Sequence, residues 1–290
     1  MIAVDWGTST FRAYRLGRDG RVLDMRSAPR GILSVENGKF SDVLEVHAGD
    51  WIKAGEGPLV MSGMIGSRQG WQEVPYAACP AGFDEIAAGM RKVAWGDATA
   101  WIAPGVTCRD EAGIPDVMRG EEVQILGVLD RLGAGIHTIC LPGTHSKWVE
   151  VMDGKIAGFT TNMTGEAFAV FKAHSILGKM MKDGATDVAA FEDGVRRSAD
   201  AGGLLHHLFG VRARGLLGEL TEAGSASYLS GILIGHEIRS AHRRRTQMHL
   251  LCSVQLAEIY GRALSVLGIE GSVLEPDSVT TGLFRLAGYL

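Results

Sequence analysis

A short apolar strand that ends in an acid and runs into a turn of small and hydroxyl residues constrains this chain more than any other feature. Met1-Ile2-Ala3-Val4 leads into Asp5-Trp6-Gly7-Thr8-Ser9-Thr10, and Phe11-Arg12-Ala13-Tyr14-Arg15-Leu16 departs as a second strand. A tight hairpin tip of this kind exposes backbone N–H groups and hydroxyls, the donors that meet phosphate oxygens. The acid at its start suits Mg²⁺, which keeps several waters and takes only one or two carboxylates. The same words alone also describe an ordinary polar β-turn. What sets them apart is an echo in mid-chain: the strand Thr138-Ile139-Cys140-Leu141-Pro142, the turn Gly143-Thr144-His145-Ser146-Lys147, and Trp148-Val149-Glu150-Val151-Met152 leading away. One such hairpin in each half reads as two grips on one polyphosphate.

The elements around the two hairpins follow one order. In the first half, three strands lead to a helix capped by Ser41 with Val43, Leu44, His47 and Trp51 inward, and a buried strand follows at 58–61. A helix at 84–93, a strand at 99–103 and a helix at 120–132 complete the half. In the second half, three strands over 137–161 precede a helix begun by Thr164 with Ala167, Val170, Phe171, Leu177 and Met181 on one face. A helical insertion at about 198–244, a strand at 248–252, a helix marked by Leu256, Tyr260, Ala263, Leu264 and Leu267, a strand at 272–274 and a last helix from Asp277 complete the chain. Strands alternating with helices imply mixed sheets flanked by helices. The expected fold is therefore α/β, βββαβαβα twice, with a lobe at 1–134, a lobe at 135–290 and a ligand cleft between them.

Composition bounds the partners. With 290 residues, 46% hydrophobic and 21% charged, the chain is long enough for two cores. A net charge of −4 gives no reason to expect nucleic acid or an anionic membrane. Cys79, Cys108, Cys140 and Cys252 are scattered, without a Cys-x-x-Cys pair, as in a cytoplasmic protein with reduced thiols. No apolar run reaches membrane-spanning length.

Five stretches carry a resemblance: Val4-Asp5-Trp6-Gly7-Thr8-Ser9, Met61-Ser62-Gly63-Met64-Ile65-Gly66-Ser67, Pro115-Asp116-Val117-Met118-Arg119-Gly120-Glu121-Glu122, Leu141-Pro142-Gly143-Thr144-His145-Ser146-Lys147-Trp148 and Met163-Thr164-Gly165-Glu166. The doubled element order resembles the actin, hexokinase and Hsp70 superfamily, whose lobes are ribonuclease H-like. The wording of these stretches is similar to the 2-dehydro-3-deoxygalactonokinase family over essentially the whole chain, and the Leu-Pro-Gly-Thr-His-Ser-Lys-Trp block is the specific part. The resemblance implies ATP- and Mg²⁺-dependent phosphorylation of 2-dehydro-3-deoxygalactonate at its 6-hydroxyl, in galactonate breakdown. It leaves room for a homodimer.

Phosphoryl transfer is mostly positioning and charge stabilisation, and each part has a candidate. Asp5 is the Mg²⁺ residue. Gly7, Thr8, Ser9 and Thr10 form the first phosphate turn, and Gly143, Thr144, His145 and Ser146 the second, with Lys147 as countercharge. The second turn departs from the superfamily, because Leu141-Pro142 replaces an acid there, which leaves open whether a second protein carboxylate joins Asp5 on the metal. Asp116 is the expected base for the acceptor hydroxyl, with Glu121 and Glu122 as rivals at a helix start, where acids are favoured in any case. For a substrate carboxylate, Arg30, Arg68 and Arg119 are the candidate cations. Gly63, Ser67 and Gln69 belong to the expected substrate loop, and Glu166 is placed to bind sugar hydroxyls or to serve its own helix end. For the adenine, Ser253, Gln255 and Gly231 are weak candidates, and the basic run Arg239, Arg243, Arg244, Arg245 reads as a solvated helix end. The Gly-Glu-Glu helix start also resembles exopolyphosphatases, so a phosphohydrolase is the rival activity. A kinase preferring the gluco epimer is another, since no motif reads that centre. A sugar-sensing regulator and an Hsp70-like chaperone are expected to carry further domains.

Overall fold

The structure, a computed structural model, describes residues 1–96, 98–242, 246–274 and 278–290. Arg243, Arg244, Arg245 and Asp277, named above, lie outside the described residues.

The first strands are β1 (Ile2–Trp6), β2 (Phe11–Leu16) and β3 (Val22–Ala28), followed by α1 (Phe40–Lys53), β4 (Leu59–Gly63), β5 (Ala77–Ala78) and α2 (Phe83–Gly89). Then come β6 (Arg91–Trp95), β7 (Ala98–Ile102), β8 (Val106–Arg109), β9 (Pro115–Met118) and α3 (Glu121–Val128). The chain continues with β10 (Ile136–Leu141), β11 (Ser146–Met152), β12 (Lys155–Asn162), α4 (Thr164–His174), α5 (Val188–Arg197), α6 (Gly203–Leu216) and α7 (Glu222–Ala241). It ends with β13 (Gln247–Leu251), α8 (Val254–Val266), β14 (Ser272–Leu274) and α9 (Ser278–Ala287).

Two sheets carry the fold, in the orders β3-β2-β1-β4-β7-β6 and β12-β11-β10-β13-β14. Both follow one ribonuclease H-like plan: three consecutive strands side by side, then the next strands added beyond the first. In the first sheet β1 pairs antiparallel with β2 and parallel with β4, setting Asp5 opposite Ser62 and Trp6 opposite Gly63. In the second, β13 is parallel to β10 and β14 to β13. A small third sheet has the order β5-β8-β9.

By internal contacts the chain forms two compact units: Met1–Gly135 with Glu150–Phe159 and Glu275–Leu290, and Ile136–Val149 with Thr160–Leu274. The first unit's core follows from its strands. β1 and β4 are apolar and buried because both sheet faces are covered. β2 alternates, with Phe11 and Ala13 buried and Arg12 exposed. The Trp6 ring meets Phe11 edge-on at 4.8 Å and Phe40 at 5.7 Å, below the first hairpin. In the second unit, Cys140, Trp148, Phe191, Ile238 and Leu250 form one core cluster. All four cysteines are free thiols, and among the described residues no helix is long and apolar enough to cross a membrane.

Several local expectations change. Helix α1 starts at Phe40, and the Ser41 hydroxyl bonds Asp42 rather than a backbone N–H. The expected helix at 84–93 stops at Gly89, and Arg91–Trp95 becomes an edge strand against β7. Residues 106–118 form the hairpin β8–β9, whose turn is tied by Asp110 accepting from Ala112 and Ile114 N–H. The insertion is two helices, α6 and α7, preceded by α5. Val170, expected inward, is exposed.

Candidate active site

In the first unit the turn after β1 is closed by Gly7 N–H donating to the Thr10 carbonyl at 2.9 Å. The segment after β3 is zipped onto it: Ile32 N–H donates to Gly7 O and Leu33 N–H to Thr8 O. A Cβ at Gly31 would sit 2.2 Å from Thr8 O, so only glycine lets the two backbones approach this closely. The Trp6 indole N–H donates to the Arg30 carbonyl at 2.8 Å. Among the described residues, the N–H groups of Thr8, Ser9 and Thr10 have no backbone acceptor, and Thr8 and Ser9 are exposed. The turn thus offers a small nest of free donors, while Gly7 spends its N–H closing it.

Asp5 ends β1 beside this nest. Its Oδ2 accepts from Arg12 at 3.2 Å. Burial pushes its carboxyl above the usual range; Arg12 opposes this and the negative charge of Glu121 adds to it. Its Oδ1 lies 3.5 Å from where a Cβ on Gly63 would stand, and a Cβ on Gly120 would lie 3.4 Å from the Gly63 Cα. Gly63 and Gly120 both have positive φ, at 94° and 111°, so glycine is required for conformation as well as for closeness. These contacts bring Asp5, the start of the 62–70 loop and the start of α3 together. A carboxylate desolvated by burial, with Arg12 on one oxygen and the charge of Glu121 in reach, is a hard-oxygen donor that fits Mg²⁺.

Glu121 and Glu122 divide two tasks at the start of α3. Glu121 Oε2 accepts from Arg119 N–H at 3.1 Å and its charge reaches Asp5. Glu122 is fully buried; its Oε2 accepts from Gly120 N–H at 2.7 Å, and Oε1 has no partner. Burial, reinforced by Glu121, pushes its carboxyl up to about 8. Asp116 does not stand at the helix start. It is half-buried on β9, opposite Cys108, with Oδ1 accepting from Val117 N–H at 2.7 Å.

The three candidate arginines separate. Arg119 Nη2 donates to the Val74 carbonyl at 2.7 Å and its guanidinium lies 4.3 Å from the Tyr76 ring centre. Its Nε and Nη1 are sealed from solvent, with a Cβ on Gly66 falling 2.8 Å from Nη1. In this conformation Arg119 ties the 64–76 loop to the start of α3 and presents no donor to a ligand. Arg68 is exposed and paired with Glu73 at 3.0 Å. Arg30 is exposed and lines a cavity of about 280 Å³. In the loop itself Gly63 is buried at the end of β4, Ser67 Oγ is buried without a partner, and Gln69 is exposed.

In the second unit the Gly143–His145 turn is held from below by a polar network. Gly143 N–H donates to Ser146 Oγ at 3.4 Å, and Ser146 Oγ is 3.1 Å from Tyr260 Oη. Tyr260 O–H and Trp148 Nε1–H each donate to Glu237 at 2.8 Å. Ser146 is fully buried, so its hydroxyl supports the turn and does not face a phosphate. Lys147 is also buried, its ammonium donating to the His145 carbonyl at 3.1 Å. Expected above as a countercharge, it spends a donor on the backbone of the turn itself. Burial pushes Glu237 upward, while hydrogen bonds from Thr164, Trp148, Tyr260 and Ser146 hold it back.

Helix α4 abuts the same turn. Glu166 N–H donates to Thr144 O at 3.0 Å, and the Glu166 carboxylate meets His145 Nε2. A Cβ on Gly165 would be 2.5 Å from Gly143 O. The positive end of an eleven-residue helix therefore stands at the turn, a place suited to phosphate. Beside it lies a cavity of about 370 Å³ reached by Gly143, Gly165, Phe168, Phe191, Ser230, Ile234, Leu256 and Ile259. It is mostly apolar, with a few hydroxyls and the charged Lys172, Lys182 and Asp183 also in its lining, a mix that suits a ligand with a flat apolar part and polar groups. Ser253, Gln255 and Gly231 do not line it. Gly231 instead allows α5 and α7 to touch, since a Cβ there would be 2.0 Å from Phe191 O. The sequence signal for this pocket was the helical insertion itself; its lining comes from helices far apart in the chain.

The profile of the 2-keto-3-deoxy-galactonokinase family matches residues 5–286. The chain belongs to this family. A 2-dehydro-3-deoxygalactonokinase, DgoK1, named in Rhizobium meliloti (strain 1021) is 39% identical over 293 residues, covering 98% of this chain and 95% of the relative. The 2-dehydro-3-deoxygalactonokinase of Escherichia coli K12 is 32% identical over 280 residues, covering 96% and 93%. The crystal structure of a Sinorhizobium meliloti protein described as a 2-dehydro-3-deoxygalactonokinase matches with a TM-score of 0.91 at 38% identity, covering 99% of this chain and 97% of that one. The family is one of sugar-acid kinases, and the ribonuclease H-like plan of both sheets is that of the actin-like ATPases.

Proposed function

We propose that this chain transfers the γ-phosphoryl group of ATP to the 6-hydroxyl of 2-dehydro-3-deoxy-D-galactonate in galactonate catabolism. The observation that carries this reading is the match of nearly the whole chain to relatives named for that kinase. The unspent donors of the turn after β1 and the desolvated Asp5 beside them support it.

The residues divide the work. The N–H groups and hydroxyls of Thr8, Ser9 and Thr10 hold phosphate oxygens, as do Thr144 and His145 at the positive end of α4. The apolar pocket beside Gly143 takes the nucleoside. Asp5 would hold Mg²⁺, which when bound neutralises charge on the β- and γ-phosphates. Gly63, Ser67 and Gln69 form the loop against the sugar acid, and Arg119 fixes that loop from behind. Asp116 accepts the proton of the 6-hydroxyl as the oxygen attacks phosphorus. Glu121 is the second reading for that base, because its charge reaches Asp5. Glu166 sets His145 in the second turn.

The test is nucleotide turnover with and without sugar acid. ATP consumption that requires added 2-dehydro-3-deoxygalactonate supports the kinase. Equal phosphate release without it supports a phosphohydrolase of the exopolyphosphatase type. A panel with the galacto and gluco epimers reads the stereochemical preference. Asp116→Asn and Glu121→Gln measured side by side assign the base: the true one loses kcat by about two to four orders of magnitude while ATP still binds.

A further inference from the structure

We infer that the cavity between the segment after β3 and the first turns of α1 receives the carboxylate end of the sugar acid, with Arg30 and Lys39 as its cations. The inference rests on the sugar-acid kinase reading and deepens it.

Position comes first. β1 and β3 both pair antiparallel with β2, so they run the same way. Their C-terminal ends lie at one edge of the sheet, and so do the Thr8–Ser9 donors, the end of β4 and the start of α1. Arg30 is pinned there by its carbonyl on Trp6 Nε1 and by Gly31 pressed on Thr8 and Ser9. The cavity it lines, about 280 Å³, therefore flanks the first phosphate turn. A six-carbon acid phosphorylated at C6 carries its C1 carboxylate at the far end of its chain, so the cation that meets it belongs beside that turn rather than in it, where the backbone of Arg30 is held.

Chemistry comes second. Among the described residues neither Arg30 nor Lys39 has an ion-pair partner, whereas Arg68 is spent on Glu73 and Arg119 is sealed. His47 in the same cavity is pushed down first by burial and then by the charges of Arg30 and Arg26. The remaining lining also suits a deoxy sugar acid. Glu36 and Asp42 can accept from its hydroxyls, and Val43 offers apolar surface to its C3 methylene. The lining thus carries cations for a carboxylate and acceptors for hydroxyls side by side. A guanidinium on a carboxylate makes charge-assisted, bidentate bonds.

The experiment compares wild type with Arg30→Gln, Lys39→Gln and the double variant, on the sugar acid and on its neutral C1 amide. KM for the acid is expected to rise by about tenfold to a hundredfold in the double variant. KM for ATP should stay within about twofold, and the amide, expected to be a poor substrate for wild type, should be unaffected by the substitutions. An unchanged acid KM in the double variant, or an equal loss on acid and amide, overturns the inference and leaves the kinase reading standing. A wild type that turns over neither compound overturns the kinase reading itself. In that event, acid-induced protection of wild type against thermal unfolding, absent in the double variant, still supports the site; its presence in both rejects it.

Discussion

Glu122 offers the sharpest physical test of the site's framework. Its side chain is fully buried, one oxygen holds Gly120 N–H, and the other has no partner. Its carboxyl is pushed from 4.5 up to about 8 by burial and by Glu121. Below pH 4.5 the folded and unfolded chains both carry this proton, and the group adds no pH dependence. Above that, the unfolded chain releases the proton while the folded chain keeps it. Folded protein then binds more protons than unfolded, so stability falls as pH rises, until the folded group also ionises near pH 8. At about 1.4 kcal/mol per pKa unit, the ceiling on the loss is about 5 kcal/mol. Glu122→Gln keeps a carbonyl to accept from Gly120 and has no proton to lose. Urea unfolding of both proteins from pH 5 to pH 9 checks this. The stability of the Gln variant relative to wild type should climb by up to about 1.4 kcal/mol per pH unit, then level off near pH 8. A constant offset between the two reflects packing of the amide and is irrelevant to the slope. Two stability curves that run parallel over the whole range would refute the reasoning, because Glu122 would then have the same affinity for its proton folded and unfolded.

Asp5→Asn should lower kcat by roughly a hundredfold or more, without rescue across a Mg²⁺ titration and with unfolding midpoints close to wild type. Because the Asp5 carboxyl lies above its ordinary range, protons should compete with Mg²⁺ as pH falls, and the apparent Mg²⁺ affinity in wild-type assays should weaken on the acid side. Gly165→Ala puts a methyl 2.5 Å from Gly143 O, so the second turn must shift. Nucleotide affinity measured by calorimetry should fall by roughly tenfold to a hundredfold, with the sugar-acid KM unmoved. Glu237→Ala strands the Trp148 and Tyr260 donors in the core and should cost about 2–5 kcal/mol in chemical denaturation.

The parts of this protein that could be read from its letters are those where local chemistry and position coincide. β1 and its turn are legible because an all-apolar strand, an acid and a run of small residues each state their place without a distant partner. The same holds for β10 and for Gly143, Thr144 and His145 after it. What failed was decided by partners far along the chain. Ser146 and Lys147 have the composition of ligand contacts, yet Tyr260 and Glu237, about ninety residues or more away, turn the serine into a support for the loop. Arg119 reads as a ligand until Val74, Tyr76 and Gly66 enclose it. Asp116 does precede α3 as read, but it sits on the short strand Pro115–Met118, which the letters do not announce. Residues 91–93 read as the end of a helix because an edge strand that buries only alternate residues, here Val93 and Trp95, leaves a weak trace. The glycines show the limit most clearly. Gly7 and Gly143 stand out as turn residues, but Gly31, Gly63, Gly120 and Gly165 matter through what a side chain there would strike, and that is a property of another segment. A catalytic edge of this kind is assembled by close backbone approach. Its chemistry is written in the polar residues, and its geometry in the positions where no side chain fits.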